Sequence, residues 1–310
     1  IPRIECPLHG TKSISVPWAD VRSRFTLLFE RLAIDVLMGC QNQTKAGTIL
    51  SLSSDEVHQI QERAVSRDLS RREDEPLSYI GIDEKDFLKG HSYATLLVDI
   101  ERSRVLEVTR GRDEKAATDV LEALPCKVKP SIKAVVIDMW EPYINAIGKV
   151  LPDSDIVHDK FHIAKHMNEV VDKVRKAENR MLLKGGDYTL RGTKYLWLTN
   201  SANLRKAQRD AFCRLKREKL QTGRAQSWKE TLATHSRLKS MIAVAKMLAK
   251  HIDNILTYLK HRVTNAVSKG INSKIQQIKS VTHALRNFDN YRTAILFYCG
   301  KLDMCLQESW

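Results

Sequence analysis

The 310-residue sequence contains no apolar run approaching the roughly 18 to 20 residues that a membrane-spanning helix needs. Its first residues, Ile1-Pro2-Arg3-Ile4-Glu5-Cys6, lack the charged and apolar blocks of a secretory signal. Both absences point to a cytoplasmic chain with no membrane partner. The six cysteines are too few and too scattered for a disulfide framework, and most read as buried thiols. Thirteen glycines and eight prolines, beside 43% hydrophobic residues, exclude collagen-like and disordered chains and leave material for one large domain or two smaller ones. No internal repeat is present. Acidic residues are scarce in one half only: residues 1–160 carry 22 basic and 26 acidic side chains, residues 161–310 carry 29 and 11, so the net +14 divides into −4 and +18. Clustered Lys and Arg gain free energy by releasing counterions from phosphates, which favours a nucleic-acid partner over a merely solvated helical surface.

Arg22 to Cys40 repeats apolar residues at helical spacing, with Phe25, Leu28, Phe29, Leu32 and Val36 on one stripe. A short helical stretch follows over 43–50, and then Ser53 and Glu56 at capping-box spacing open a helix reaching about Arg67. Two helices joined by a tight turn have the layout of a helix-turn-helix reader, but also that of many α-helical domains, and DNA contact by this unit is left open. Ser66 to Pro76 is charged and aperiodic, the composition of a linker. Beyond it, 78–83, 91–100 and 104–109 are β-rich runs separated by polar turns. A helix over 113–124, a continuous apolar strand over 133–138, a helix over 142–150 and a strand over 155–158 complete the order β-β-β-α-β-α-β. After Phe161 the composition is helical, with breaks at Gly185-Gly186, Gly192 and Gly223.

Asp83 falls near the end of the first strand of this unit and Asp138 at the carboxyl end of the buried strand. In a ribonuclease H-type core these two strands are neighbours, so the carboxylates converge at one sheet edge. Paired carboxylates suit a hard divalent ion, which prefers oxygen ligands and leaves positions for phosphate oxygens. Either aspartate alone would read as a strand-end cap; the two together, in this strand order, point to phosphoryl transfer.

Four stretches carry a family resemblance: Tyr79-Ile-Gly-Ile-Asp83-Glu84, Val135-Val-Ile-Asp138-Met139-Trp140-Glu141-Pro142-Tyr143, His158-Asp159-Lys160-Phe161-His162-Ile163 and Arg286-Asn287-Phe288-Asp289-Asn290-Tyr291-Arg292. Together with Val16-Pro17-Trp18, Arg24-Phe25-Thr26 and Leu28 to Ala33, they resemble the ISL3 family of bacterial insertion-sequence transposases over nearly the whole chain. The resemblance implies an α/β ribonuclease H-like core with a mixed five-stranded sheet, a helical insertion, and an N-terminal helix-turn-helix-like region. It divides the chain into a zinc-finger remnant (1–20), a helix-turn-helix-like region with linker (21–76), the first part of the core (77–184), the insertion (185–260) and a C-terminal helical part of the core (261–310). It also implies Mg²⁺ or Mn²⁺ as cofactor, transposon-end DNA and a further copy of the chain as partners, and association with the nucleoid.

Two positions depart from the family. Residues Thr264 to Asn272 match its Asn-x-x-x-Glu-Gly-x-Asn pattern except that Lys269 stands where the third catalytic acid belongs. Ile271, Ile275 and Ile278 share one helical face, and Lys269, Asn272, Ser273 and Gln276 the opposite, polar one. An ammonium group cannot ligate a cation, so strongly impaired or absent catalysis is expected, with weakened metal binding; Asp159 and Glu84 are the nearest substitute acids. At the front, Cys6-Pro7-Leu8-His9-Gly10 resembles the closing half of a zinc element whose opening cysteine pair is missing, as in an N-terminally truncated chain. With two ligands instead of four, no structural zinc is expected, and Cys6 and His9 read as separate surface residues. Lys274, Lys279, Arg286 and Arg292 flank the helix expected beside the scissile phosphate and are the candidate DNA contacts. His158, His162 and His166 lack the adjacent Glu of a metalloprotease helix, and Trp197, Trp228 and Tyr258 read as core before base-stacking residues.

Overall fold

The computed structural model describes residues 3–13, 16–20, 23–88, 92–158, 160–199, 203–218, 220–231, 250–281 and 287–304. The chain divides into two units, residues 1–156 with 265–310, and residues 157–264. The insertion expected over 185–260 lies inside the second unit.

The first unit opens with an antiparallel hairpin, β1 (Arg3–Cys6) and β2 (Gly10–Ser13), which the periodicity did not reveal. Three helices follow, α1 (Leu27–Cys40), α2 (Gln43–Leu50) and α3 (Ser54–Arg71). Each begins at a side-chain cap: Thr26 accepts from the Phe29 amide, Asn42 from that of Lys45, and Ser53 and Glu56 form a full capping box. α1 is helical as expected, but its buried stripe is Glu30, Ala33, Ile34 and Leu37, whereas Leu28 and Leu32 lie exposed. The helix carries two apolar stripes, and packing on α2 and α3 uses the one with smaller residues. α3 runs four residues past the expected end at Arg67, to Arg71, and Asp68, buried in that added turn, pairs with Arg71 at 3.2 Å.

The strand order along the sequence is the expected one: β3 (Tyr79–Leu88), β4 (Ser92–Asp99), β5 (Arg104–Arg110), α4 (Glu114–Glu122), β6 (Ala134–Ile137), α5 (Glu141–Val150) and β7 (Asp155–His158). They form a mixed sheet of order β5-β4-β3-β6-β7, with β3 antiparallel to β4 and parallel to β6. α11 (Ala266–Val281) and α12 (Phe288–Cys299) complete the unit. Side-chain alternation divides β4 between two cores: Leu96 and Val98 join α1–α3, α11 and α12 on one face, while Leu97 joins α4 and α5 on the other. This is an α/β ribonuclease H-like core with a helical N-terminal region built onto one face of its sheet.

The second unit consists of α6 (Lys160–Lys184), α7 (Lys194–Leu198), α8 (Lys206–Arg217), α9 (Gln221–Thr231) and α10 (Ile252–His261) among its described residues. Its core gathers Met167, Val171, Val174, Leu190, Phe212 and Ala225 around fully buried Trp197. The Trp197 indole donates to Thr193 Oγ1 at 3.1 Å, which confirms it as core. Glu178 of α6 accepts from the Gln221 and Thr222 amides and so caps α9.

Candidate active site

β6 is four consecutive buried residues, Ala134 to Ile137, and its first polar side chain is Asp138. The parallel register pairs Ile80 with Val135 and Gly81 with Val136. Asp83 and Asp138 each come two residues after the last pair of that ladder, Gly81 with Val136. Both side chains are half-buried, and each holds its carboxylate by a local hydrogen bond: Asp83 Oδ1 accepts from the Glu84 amide at 2.9 Å, Asp138 Oδ1 from the Met139 amide at 2.7 Å. The sequence reading needs one correction: Asp83 stands mid-strand, because β3 continues past it as a hairpin with β4, pairing Asp86 with Tyr93 and Leu88 with Ser92. What ends at Gly81 is the parallel ladder to β6, and this frees the edge that the aspartates line.

α11 lies along β3, and its register is set at three points. A Cβ on Gly81 would come within 3.1 Å of Asn265 Oδ1 and 3.4 Å of Ser268 Oγ, so the missing side chain lets the helix start approach the strand. Asn272 Nδ2 donates to Asp83 Oδ2 at 2.9 Å, and Lys279 Nζ donates to the Asp86 carbonyl at 2.9 Å. Ile271, Ile275 and Ile278 are buried, as their spacing predicts, and Lys269 is exposed, one turn before Asn272. Lys85, Asn272, Ser273, Gln276, Gln277 and Ser280 line a polar groove of about 410 Å³ beside the strand.

Across the edge from α11, the turn after β5 brings Arg112 over the Tyr93 ring at 4.1 Å and within 5.7 Å of the Trp140 ring. Gly111, at φ +108°, makes that turn, and its amide donates to the Tyr93 carbonyl at 2.8 Å. Arg112 Nη1 lies 3.8 Å from Glu84 Oε2, so Glu84 is engaged on the side away from α11. Behind them the Tyr143 hydroxyl shares a 3.0 Å hydrogen bond with Thr95 Oγ1. Burial pushes that hydroxyl far above the ordinary phenol range, with the Glu84 and Asp83 charges adding to the effect, so Tyr143 is a neutral strut.

The remaining expected residues are placed as follows. Asp159 and Arg286 lie outside the described residues. Lys274 Nζ donates to the Tyr298 carbonyl at 2.6 Å, and Arg292 makes a two-pronged pair with Glu107 at 2.6 and 2.7 Å, so both spend donors within the fold, as Lys279 does. Cys6 and His9, read as separate residues, face each other across the first hairpin turn, Sγ to Nδ1 3.5 Å. The sequence reading missed α8, whose exposed residues include Lys206, Arg209, Arg214, Lys216 and Arg217 against one acid, Asp210. The run of basic residues from Arg205 to Arg217 was the available signal. α3 differs in charge: its exposed residues are Ser54, Asp55, Gln59, Glu62, Ser66, Ser70 and, at its end, Arg71.

Among the described residues no group of three or more His, Cys, Asp or Glu side chains could hold a metal ion. The pair Asp83 and Asp138 still fits a Mg²⁺-type ion, which binds through one or two carboxylates and fills its other positions with water and phosphate oxygens. No helix among the described residues is long and apolar enough to cross a membrane.

The sequence matches the transposase family model of the ISL3 DDE type over residues 80–234 and 224–295. It is 29% identical over 236 residues to the transposase for insertion sequence element IS1001 of Bordetella parapertussis, covering 68% of this chain and 58% of that protein. It is 27% identical over 177 residues to the transposase for insertion sequence element IS1557 of Mycobacterium tuberculosis strain H37Rv, covering 56% and 39%. The chain thus spans 58% and 39% of the length of these two relatives. With the family match running across both aspartates and α11, the chain belongs to the ISL3 family of insertion-sequence transposases.

Proposed function

We propose that the chain is a DNA-binding transposase of this family whose metal-dependent strand cleavage and strand transfer are crippled at one position. The observation that carries this reading is the composition of α11 beside Asp83: the helix presents Lys269 and Asn272 there and no carboxylate. In the activity that the family implies, Asp83 and Asp138 would hold divalent ions, which would supply Lewis-acid activation of the attacking oxygen and charge for the leaving one. The chain's own part is to keep the two carboxylates at one register, oriented by the Glu84 and Met139 amides. Lys269 adds a positive charge on the helix from which the third ligand should come, and this opposes cation binding. DNA binding is carried by phosphate contacts, for which the exposed Lys206, Arg214 and Arg217 of α8 are better candidates than Lys274 and Arg292, whose donors are used internally. A chain bound to DNA in this way resides at the nucleoid.

Nicking of supercoiled plasmid in Mn²⁺ tests the reading. The native chain is expected to be inert, Lys269→Glu to cut, and Lys269→Glu combined with Asp83→Ala to be inert again. Cutting by the native chain that disappears in Asp83→Ala would mean that another acid completes the site, Asp159 being the first to replace. A second reading, a DNA-occupying protein with no latent activity, is favoured if Lys269→Glu binds DNA but never cuts.

A further inference from the structure

Trp140 is 43% exposed although it stands two residues after Asp138, on the turn that leads into α5. Its backbone amide donates to the Asp138 carbonyl at 2.7 Å, so the ring is attached to the loop that carries the carboxylate. Its indole Nε1–H donates to the Arg112 carbonyl at 3.1 Å, which fixes the ring rather than leaving it to rotate. The Arg112 guanidinium is held against Tyr93 and near Trp140, and Glu84 balances its charge. The result is a preordered pairing of indole and guanidinium on the loop that carries Asp138, with the indole 43% exposed.

Such a pairing is poorly suited to gripping phosphate, because Glu84 already faces the one cation in it. It is well suited to stacking. Nucleobases stack on aromatic and guanidinium planes irrespective of sequence, whereas a base inside a duplex has both faces covered by its neighbours. We propose that Trp140, braced by Arg112, is a stacking site for an unpaired nucleobase next to the phosphate that the aspartates address. The inference rests on the DNA reading above, since it names the form of DNA that the same edge accepts. It gives the site a preference for melted, flipped or overhanging nucleotides over continuous duplex.

The test uses the full chain at low salt and three DNA probes: a continuous duplex, the same duplex with one unpaired 2-aminopurine, and that duplex with an abasic residue in its place. The native chain is expected to bind the unpaired-base probe about tenfold more tightly than the abasic one, within the range of base–aromatic stacking, and to quench its fluorescence. Trp140→Ala should erase both differences while retaining duplex binding, and Trp140→Phe, which keeps an aromatic face, should retain most of the preference. Equal affinity of the native chain for the unpaired and abasic probes overturns the proposal without reference to any variant. So does quenching that persists in Trp140→Ala. Failure to bind any of the three probes overturns the DNA reading as well, whereas duplex binding without base preference overturns only the stacking site.

Discussion

The side-chain amide of Asn272 donates to Asp83 Oδ2 at 2.9 Å, while its own Oδ1 is buried and accepts no hydrogen bond from the described residues. One half of the amide thus orients the carboxylate and the other half is a buried oxygen without a donor among the described residues, in the middle of α11. Asn272→Asp is nearly isosteric and sets a second negative charge against Asp83. Repulsion should lower the melting temperature without metal, and Mn²⁺ should restore it, with binding tightened roughly tenfold. Asn272→Ala removes the hydrogen bond without adding charge and should melt lower with no recovery in Mn²⁺. Identical melting of Asn272→Asp with and without Mn²⁺ would show that the position does not face the ion.

Binding of nonspecific duplex should fall steeply with salt. Replacing Lys206, Arg214 and Arg217 together with glutamine should flatten the plot of log affinity against log salt by roughly 0.9 for each phosphate contact removed. Gel-shift titrations over a series of salt concentrations measure the slope. An unchanged slope would move the phosphate contacts off α8.

Glu30 is fully buried in α1 and accepts from Ser23 Oγ at 2.9 Å, Arg63 Nε at 2.8 Å and Arg67 Nη1 at 2.9 Å; Arg67 also pairs with Asp20. Glu30→Ala takes the carboxylate from Arg63 and leaves Arg67 with Asp20 alone, and should cost about 3 kcal/mol, the low end for breaking a buried pair. Urea denaturation measures this directly. A loss under about 1 kcal/mol would mean that the arginines find water instead.

Two buried groups on α12 make stability fall at alkaline pH. Burial raises the Cys299 thiol from 9.0 to about 11 and the Tyr298 hydroxyl from 10.0 to about 12, the latter partly offset by its hydrogen bond from Gln61. In both cases the folded chain holds the proton more tightly than the unfolded one, so their contribution is complete below pH 9 and is lost as pH rises through about 11 and 12. Denaturation midpoints at pH 8 and pH 11 should differ, and Cys299→Ala should remove part of the difference. The exposed Cys126 and Cys213 should react with a thiol reagent at pH 8 while Cys299 does not.

The sequence by itself determined the order of strands and helices, because Ala134 to Ile137 has the unbroken apolar character of a doubly covered strand and Ser53 with Glu56 is a complete helix start. It also located Asp83 and Asp138 on their strands, and the family resemblance located Lys269, whose helix face follows from the period of 3.6. Periodicity could not say which of the two apolar stripes of α1 is buried, nor that β3 runs on past Asp83, because both depend on partners distant in the chain. Only the tertiary structure decided that Arg292 and Lys274 turn inward, since a charged side chain's partner is chosen by three-dimensional proximity and Glu107 lies 185 residues from Arg292 in sequence. The same holds for Asn272 against Asp83 and for Arg112 between Tyr93 and Trp140. Sequence spacing fixes which residues share a face, and the packing of one element on another fixes what that face meets.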